Sequence, residues 1–168
     1  KLAAVDHDPP MAARAAEHPN IGAASLQETA LLHSGDLTNR QLWEEFLPGC
    51  RQAIEQIYRR INVTFDHELG ESFYQDRLAD VVFDFESRGL AKESEGATCI
   101  FLDAFETPMI IRKKDGAFLY ATTDLATIQY RVQEWKVDEI LYVVDRRQSE
   151  HFSKLFAAVG LWNLDQVK

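Results

Sequence analysis

The chain has 168 residues, of which 46% are hydrophobic, 11% aromatic and 27% charged, a composition that indicates one folded domain and excludes an intrinsically disordered chain. Its 27 acidic and 18 basic residues give a net charge of -9. This charge argues against a surface whose main role is to bind nucleic-acid phosphates, because such surfaces are basic. It does not exclude that the chain is part of a larger enzyme that acts on nucleic acid. Two cysteines are too few for a disulfide framework, and no apolar run approaches the roughly 20 residues of a membrane helix, so the sequence predicts a reduced, cytoplasmic setting without a membrane segment.

The first third of the chain is predicted to be helical. A helix over 23–33 ends near Gly35, where a left-handed backbone suits glycine. Thr38 is the predicted N-cap of a second helix, and Pro48-Gly49 interrupts its apolar spacing, so we expect a bend or two helices there. The β-branched and aromatic run 62–66 predicts a short strand.

The middle third mixes helix and strand. Ser72 is the predicted cap of a helix that stops at Gly89. The runs 98–102 and 108–112 predict strands, and 113–116 (Lys-Lys-Asp-Gly) is typical of a hairpin turn.

The last 50 residues predict an alternation of strand and helix. A strand over 118–121 leads into a helix with a threonine cap that runs to about residue 135. The apolar run 140–144 is typical of a strand buried on both faces, and a helix over 149–160 follows. This β-α-β-α order predicts an α/β fold with a parallel sheet and a right-handed crossover.

Two side chains at the start of one predicted helix are candidates for a binding site. In open α/β sheets, ligands bind beyond the carboxyl ends of the strands, which is where Tyr120 and Asp124 lie. A carboxylate offers paired acceptors to a guanidinium and a phenol adds one directed hydrogen bond, so the pair suits a cationic group. The alternative is structural: Asp124 stabilises the helix N-terminus and Tyr120 packs.

Three further candidates follow the run 140–144. Gln148 and His151 are three residues apart and share one helix face, and a glutamine amide can hold a carboxylate, an ammonium or an amide. Asp145 either caps the following helix or contacts a ligand. The alternative for Gln148 and His151 is a solvated first helical turn.

Several common signatures are absent. The sequence contains no Gly-x-Gly-x-x-Gly and no Gly-x-x-x-x-Gly-Lys, so it encodes no standard dinucleotide site or P-loop. Its five histidines have no metal-ligand spacing, which predicts no metal site. No catalytic residue is identified from the sequence.

Two runs, 120–131 and 141–152, closely resemble the catalytic core of arginyl-tRNA synthetases, which are class I enzymes. Upstream, shorter motifs follow the same family in the same order, and the resemblance covers roughly residues 25–162. These motifs are His33-Ser-Gly-Asp36, Leu42-Trp43, Ile57-Tyr58, Val63-Thr-Phe-Asp66 and Gly70-Glu-Ser-Phe-Tyr74.

The resemblance implies roles for the candidate residues. It implies that Tyr120 and Asp124 bind the side chain of arginine, and that Gln148 contacts the amino-acid end of the substrate. His151 and Asp145 lie in the same motif and remain candidates. It also implies a Rossmann-like catalytic domain of which 108–168 form the second half and 25–107 a mixed α/β insertion, with 1–24 an N-terminal segment expected to be poorly ordered.

The family's two ATP-binding motifs, His-x-Gly-His and Lys-Met-Ser-Lys, are not in the sequence. Because the chain also lacks an initiating Met, we expect a piece of an arginine–tRNA ligase that is inactive alone and binds no cofactor tightly. The whole enzyme is expected to be monomeric and to act on arginine, ATP with Mg²⁺, and tRNA. The alternative is a non-catalytic arginine-binding or regulatory module derived from this fold.

Overall fold

The computed structural model describes residues 17–164. Contacts within the chain separate it between Asp66 and His67 into two compact units. We call the described residues 17–66 the helical unit and 67–164 the sheet unit. Of the predicted N-terminal segment 1–24, residues 1–16 lie outside the described part.

The helical unit contains two helices, α1 (Ile21–His33) and α2 (Leu37–Arg60), joined by a tight turn. Gly35 has a φ of +88°, in the left-handed region that favours glycine, so the predicted end of the first helix is confirmed. The N-cap of α2 is Asp36, whose carboxylate accepts from the Asn39 backbone N–H at 3.0 Å. The predicted Thr38 cap was therefore wrong, because an aspartate two residues earlier already satisfies this helix end.

Pro48 lies inside α2, which continues through it as one helix of 24 residues, so of the two predicted alternatives, a bend or two helices, the second was wrong. Proline removes one intrahelical hydrogen bond, and the turns on either side keep theirs. The chain reverses after α2: Asn62 has a φ of +55°, its N–H donates to the Arg59 carbonyl, and the Val63 N–H donates to the Tyr58 carbonyl. The predicted strand over 62–66 is absent because this segment folds back onto the end of α2.

The sheet unit begins with a 3-10 helix, Glu71–Arg77, that leads directly into α3 (Leu78–Ser87). Ser72 lies within the 3-10 helix, whose cap is Gly70, so the predicted serine cap was wrong. Gly89 has a φ of +71° just after α3, which confirms the predicted helix end.

Three short antiparallel strands form the sheet in the order β1 (Ala91–Ser94), β2 (Ala97–Ile100) and β3 (Met109–Arg112). Two of them match the predicted strands 98–102 and 108–112. Strand β1 was not predicted; it pairs with β2 through the turn Glu95-Gly96, whose two positive φ values suit a two-residue hairpin.

Two helices complete the sheet unit, α4 (Tyr120–Gln133) and α5 (Ser149–Leu161). The predicted turn at 113–116 is confirmed by the hydrogen bond from the Gly116 N–H to the Lys113 carbonyl. The predicted strand 118–121 is reduced to one bridge at Phe118, because α4 has already begun at residue 120.

No strand forms over residues 140–144, and within 17–164 no parallel pair of strands is present, so that part of the predicted topology was wrong. Val143 is 99% exposed and Leu141 79%, with no strand of the described chain beside them. A strand needs a partner for its backbone groups as well as a suitable sequence. The prediction that the chain contains both helices and strands is confirmed.

The core of the sheet unit lies between α3, α4, α5 and the sheet. The largest fully buried side chains are Phe85, Ile100, Ile111, Leu125, Leu155 and Trp162.

Among the described residues, no helix is long and apolar enough to cross a membrane.

Candidate functional site

The first turns of α4 and α5 meet through a short hydrogen bond between a carboxylate and an imidazole. His151 Nε2 lies 2.6 Å from Asp124 Oδ2, although the two residues are 27 positions apart. Both side chains are partly buried, with 17% and 30% of their surface exposed. A carboxylate only accepts, so the imidazole nitrogen that faces it carries the proton.

Aromatic rings hold this imidazole from two sides. The Tyr120 ring meets the His151 ring edge to face, with centroids 4.7 Å apart. The Phe152 ring makes a similar contact at 5.1 Å. Tyr120 itself is 62% exposed, which leaves its phenol available to a ligand. The structure therefore brings together three of the five predicted site residues: Tyr120, Asp124 and His151.

A concave pocket of about 450 Å³ opens beside this group, a size that suits a small ligand. Tyr120 and His151 line part of its wall, and Asp124 adjoins the wall through its hydrogen bond to His151. The remaining wall residues come from β3 and its approach, from the start of α4 and from α5: Pro108, Met109, Ile110, Leu119, Ala121, Arg147, Glu150 and Lys154.

Three charged residues of the pocket wall were missed in the sequence analysis. Lys154 donates to Thr107 Oγ1 at 2.7 Å and pairs with Glu150 at 2.9 Å. Arg147 lies one turn before His151 at the entrance to α5. The signal was present, because residues 147, 150, 151 and 154 are spaced to share one face of a helix.

Asp145 and Gln148 lie next to the pocket wall and not in it. Asp145 caps the 3-10 helix Arg146–Gln148 by accepting from the Arg147 N–H at 2.9 Å. The Arg147 guanidinium also donates to both oxygens of this carboxylate, and these side-chain bonds, together with the backbone bond, keep the pKa of Asp145 below its usual range. Gln148 is exposed at the N-cap of α5. Asp145 thus adopts the capping arrangement that the sequence had left open.

Tyr142 is partly buried and packs against Phe152 of α5. Burial raises the pKa of Tyr142 to about 12, with the charge of Asp124 adding to the effect and Arg131 opposing it. Its ring centroid lies 4.9 Å from that of Phe152. Among the described residues the buried hydroxyl has no hydrogen-bond partner.

Within residues 17–164, no group of three or more His, Cys, Asp or Glu side chains lies close enough together to hold a metal ion. The site is instead a pocket lined by a phenol, an imidazole and charged side chains of both signs. Such a set binds ligands through hydrogen bonds and ion pairs.

Comparison with known families identifies the chain. A family model described as "tRNA synthetases class I (R), catalytic domain" matches residues 12–167, nearly the whole chain. The chain therefore belongs to the catalytic-domain family of class I tRNA synthetases, and its fold is that of this family.

The similar proteins within this family are arginine–tRNA ligases. The ligase of Rhodopirellula baltica is 59% identical over all 168 residues of this chain, which cover 25% of the relative. The cytoplasmic arginine–tRNA ligase of Arabidopsis thaliana is 38% identical over 141 residues, or 84% of this chain and 24% of the relative. The chain thus spans about a quarter of the length of these relatives.

A solved structure shows the same fold. The crystal structure of arginyl-tRNA synthetase from Plasmodium falciparum matches with a TM-score of 0.75 at 24% identity, covering 81% of this chain and 24% of that one. The family predicted from the motifs is confirmed. The roles of Tyr120, Asp124, Gln148, His151 and Asp145, and the predicted domain boundaries, stay predictions.

Proposed function

We propose that this chain is the part of an arginine–tRNA ligase that recognises the arginine side chain. The whole enzyme would join arginine to ATP with release of pyrophosphate and then pass the arginyl group to the 3′ end of its tRNA. The observation that supports this best is the group formed by Tyr120, His151 and Asp124 beside a pocket of about 450 Å³.

The chemistry of this group suits a guanidinium. The Asp124 carboxylate has two oxygens with about four acceptor positions, and His151 uses one of them. The other positions can accept the parallel N–H groups of a guanidinium, which is the strong, planar arrangement that such groups prefer. The exposed Tyr120 hydroxyl would add one hydrogen bond. A substrate without a guanidinium would leave these acceptors unpaired and bind poorly.

The other end of the substrate would meet Gln148, which is exposed at the start of α5. ATP would be the second substrate, and Mg²⁺ would arrive with its phosphates. The described residues include no ligand cluster that would hold the ion from the protein side. We place the arginine contacts in the second half of the catalytic domain, residues 108–168, and assign 25–107 to the insertion. Residues 1–24 would be the N-terminal segment before it.

We further propose a cytoplasmic, monomeric enzyme. Cys50 and Cys99 are both free, as is usual for a chain in a reducing compartment. Burial and the charge of Glu95 raise the pKa of the Cys99 thiol, which keeps it in the unreactive protonated form.

The test is a pair of substitutions in the complete ligase that contains this segment. Asp124→Asn keeps the shape and removes the charge, and hydrogen bonds to charged groups contribute about 1.5–3 kcal/mol, so kcat/KM for arginine should fall about 10- to 100-fold. Tyr120→Phe removes one neutral hydrogen bond and should cost about 1 kcal/mol. Aminoacylation is measured with arginine and ATP varied separately, and the KM for ATP should change little.

Asp138→Asn is the matched control, because it removes the same charge from an exposed residue that neither lines the pocket nor bonds to His151. It should leave the arginine kinetics unchanged. If Asp124→Asn raises the KM for ATP and leaves that for arginine unchanged, the pocket assignment is wrong. If it lowers only the melting temperature, Asp124 has a structural role at the start of α4.

A further inference from the structure

His151 is the residue through which the two arginine-binding candidates touch. It contacts the Asp124 carboxylate through Nε2 and lies in a T-shaped contact with the Tyr120 ring, and both partners belong to the first turn and a half of α4. Within the sheet unit as described, no other side chain donates a hydrogen bond to Asp124. His151 is therefore the described side chain that can orient this carboxylate through a hydrogen bond.

The imidazole is itself well fixed. Its side chain is 17% exposed, and the rings of Tyr120 and Phe152 flank it at 4.7 and 5.1 Å. Phe152 packs against the core and also contacts the rings of Tyr142 and Phe156, whose centroids lie 4.9 and 5.9 Å from its own. A side chain held this way loses little further freedom when a ligand binds, which is the general benefit of a pre-organised site.

We propose that His151 is a positioning residue for arginine recognition: it fixes the Asp124 carboxylate and the Tyr120 ring so that both meet the guanidinium at set places. This inference rests on the proposed function. His151 occupies one acceptor position on Oδ2, so the remaining acceptor positions of the carboxylate stay available to the guanidinium. His151 would itself make no bond to the reacting atoms, so it acts on the binding of arginine and not on the chemical step.

The hydrogen-bond donor, and not the aromatic ring alone, should carry this role. Glutamine places its side-chain nitrogen at a distance from the backbone similar to that of Nε2 of histidine, whereas asparagine is shorter by one methylene group. His151→Gln should therefore keep the bond to Asp124, and His151→Asn should lose it while staying polar and compact. The two variants form a matched pair: both side chains are polar amides, but only that of glutamine is long enough to bond to Asp124.

The experiment measures aminoacylation by the complete ligase with arginine and ATP varied separately. His151→Asn should raise the KM for arginine about tenfold and leave the KM for ATP and the kcat within about threefold. His151→Gln should keep the KM for arginine within about threefold of the original enzyme. Equal impairment of both variants, or a fall in kcat without a change in the KM for arginine, would overturn the proposal.

A double-mutant cycle tests whether His151 acts through Asp124. In the Asp124→Asn background, His151→Asn should raise the KM for arginine by less than about threefold, because the carboxylate that it positions is already gone. Full additivity of the two effects would overturn the positioning role.

The same data distinguish this inference from the proposed function. If Asp124→Asn impairs arginine use and His151→Asn does not, the pocket stands and the role of His151 is wrong. If neither substitution affects arginine, the pocket assignment itself is wrong. If His151→Asn does not fold, His151→Gln alone tests the proposal. A large rise in its KM for arginine would contradict it, because glutamine can still donate a hydrogen bond to Asp124.

Discussion

The helical unit and the sheet unit stabilise their helices by different means. Helix α2 has 24 residues and none of them is buried, although its sequence includes Trp43, Phe46 and Ile57. Helix α3 has only 10 residues, and four of them are buried in the core: Leu78, Val81, Val82 and Phe85. Packing in the core therefore stabilises the short helix α3, whereas α2 has no fully buried residue to supply such packing.

The difference bears on where the binding residues lie. Burying an aliphatic or aromatic side chain contributes about 1.5–3 kcal/mol, so a core fixes the helices that line it far more firmly than caps and surface ion pairs do. In α2 the described side-chain bonds are the Asp36 cap, the bonds of the Asn39 amide to Asp36 and to Glu28 of α1, and the exposed Arg59–Glu55 pair. Tyr120, Asp124 and His151 all begin helices of the sheet unit, where the backbone is held by packing. Sites on such rigid elements keep their geometry better than sites on mobile ones.

The largest expected effect compares two leucines. Leu125 of α4 is fully buried, and Leu125→Ala should lower the free energy of unfolding by about 2–5 kcal/mol because it leaves a cavity in the core. Leu42 of α2 is 43% exposed, and Leu42→Ala should cost less than about 1 kcal/mol. Urea unfolding of the 168-residue chain, followed by circular dichroism, measures both. Equal losses would contradict the difference between the units.

The second prediction compares two threonines that bond to backbone carbonyls. Thr122 is buried and donates to the Ile111 carbonyl of β3, so it ties the start of α4 to the sheet beside the pocket. Thr122→Val keeps the shape and removes the donor, which should cost about 1–3 kcal/mol.

Its matched control is Thr29→Val in α1, where the hydroxyl donates to the Ser25 carbonyl at 2.7 Å in an exposed position. Water can replace that donor, so the change should stay within about 0.5 kcal/mol. The same urea titrations apply. If Thr29→Val lowers the free energy of unfolding as much as Thr122→Val does, solvent exposure does not determine how much these hydrogen bonds contribute to stability.

The same contrast explains which elements could be predicted from the sequence. The predictions located strands β2 and β3 and helices α4 and α5. The spacing of apolar residues in these elements matches the period of a strand or of a helix, respectively. The run 140–144 has the composition of a buried strand, yet pairing depends on neighbours that its own sequence does not specify. Strand β1 is short and polar, so only the Glu95-Gly96 turn signalled it.

The site was predictable to a similar extent. Tyr120 and Asp124 stand out because they lie at a helix start with complementary chemistry. The contact between His151 and Asp124 joins residues 27 positions apart and depends on how α5 packs against α4, which no local pattern encodes. The placement of Lys154 in the pocket wall has the same cause, since its bond to Thr107 spans 47 positions.

The smallest predicted effect appears only in alkaline solution and concerns Tyr142. Burial raises its pKa to about 12 from an ordinary value of 10.0, so between these values the folded state holds the phenol proton more tightly than the unfolded state does. The free energy of unfolding therefore contains a contribution that is complete below about pH 10 and is lost as the pH rises toward 12. Tyr142→Phe should remove this part of the alkaline loss.

At neutral pH, Tyr142→Phe should be close to neutral in stability, because the buried hydroxyl has no hydrogen-bond partner among the described residues. Tyr58→Phe in α2 is the control, since it removes one phenol from the helical unit, where the ring lies edge-on to Phe65. Urea midpoints are measured from neutral pH to about pH 11 for the original chain and both variants. The original chain and Tyr58→Phe should lose stability in parallel as the pH rises, and Tyr142→Phe should lose less. A parallel loss in all three would show that the Tyr142 phenol titrates alike in the folded and unfolded states, which would contradict its burial against Phe152.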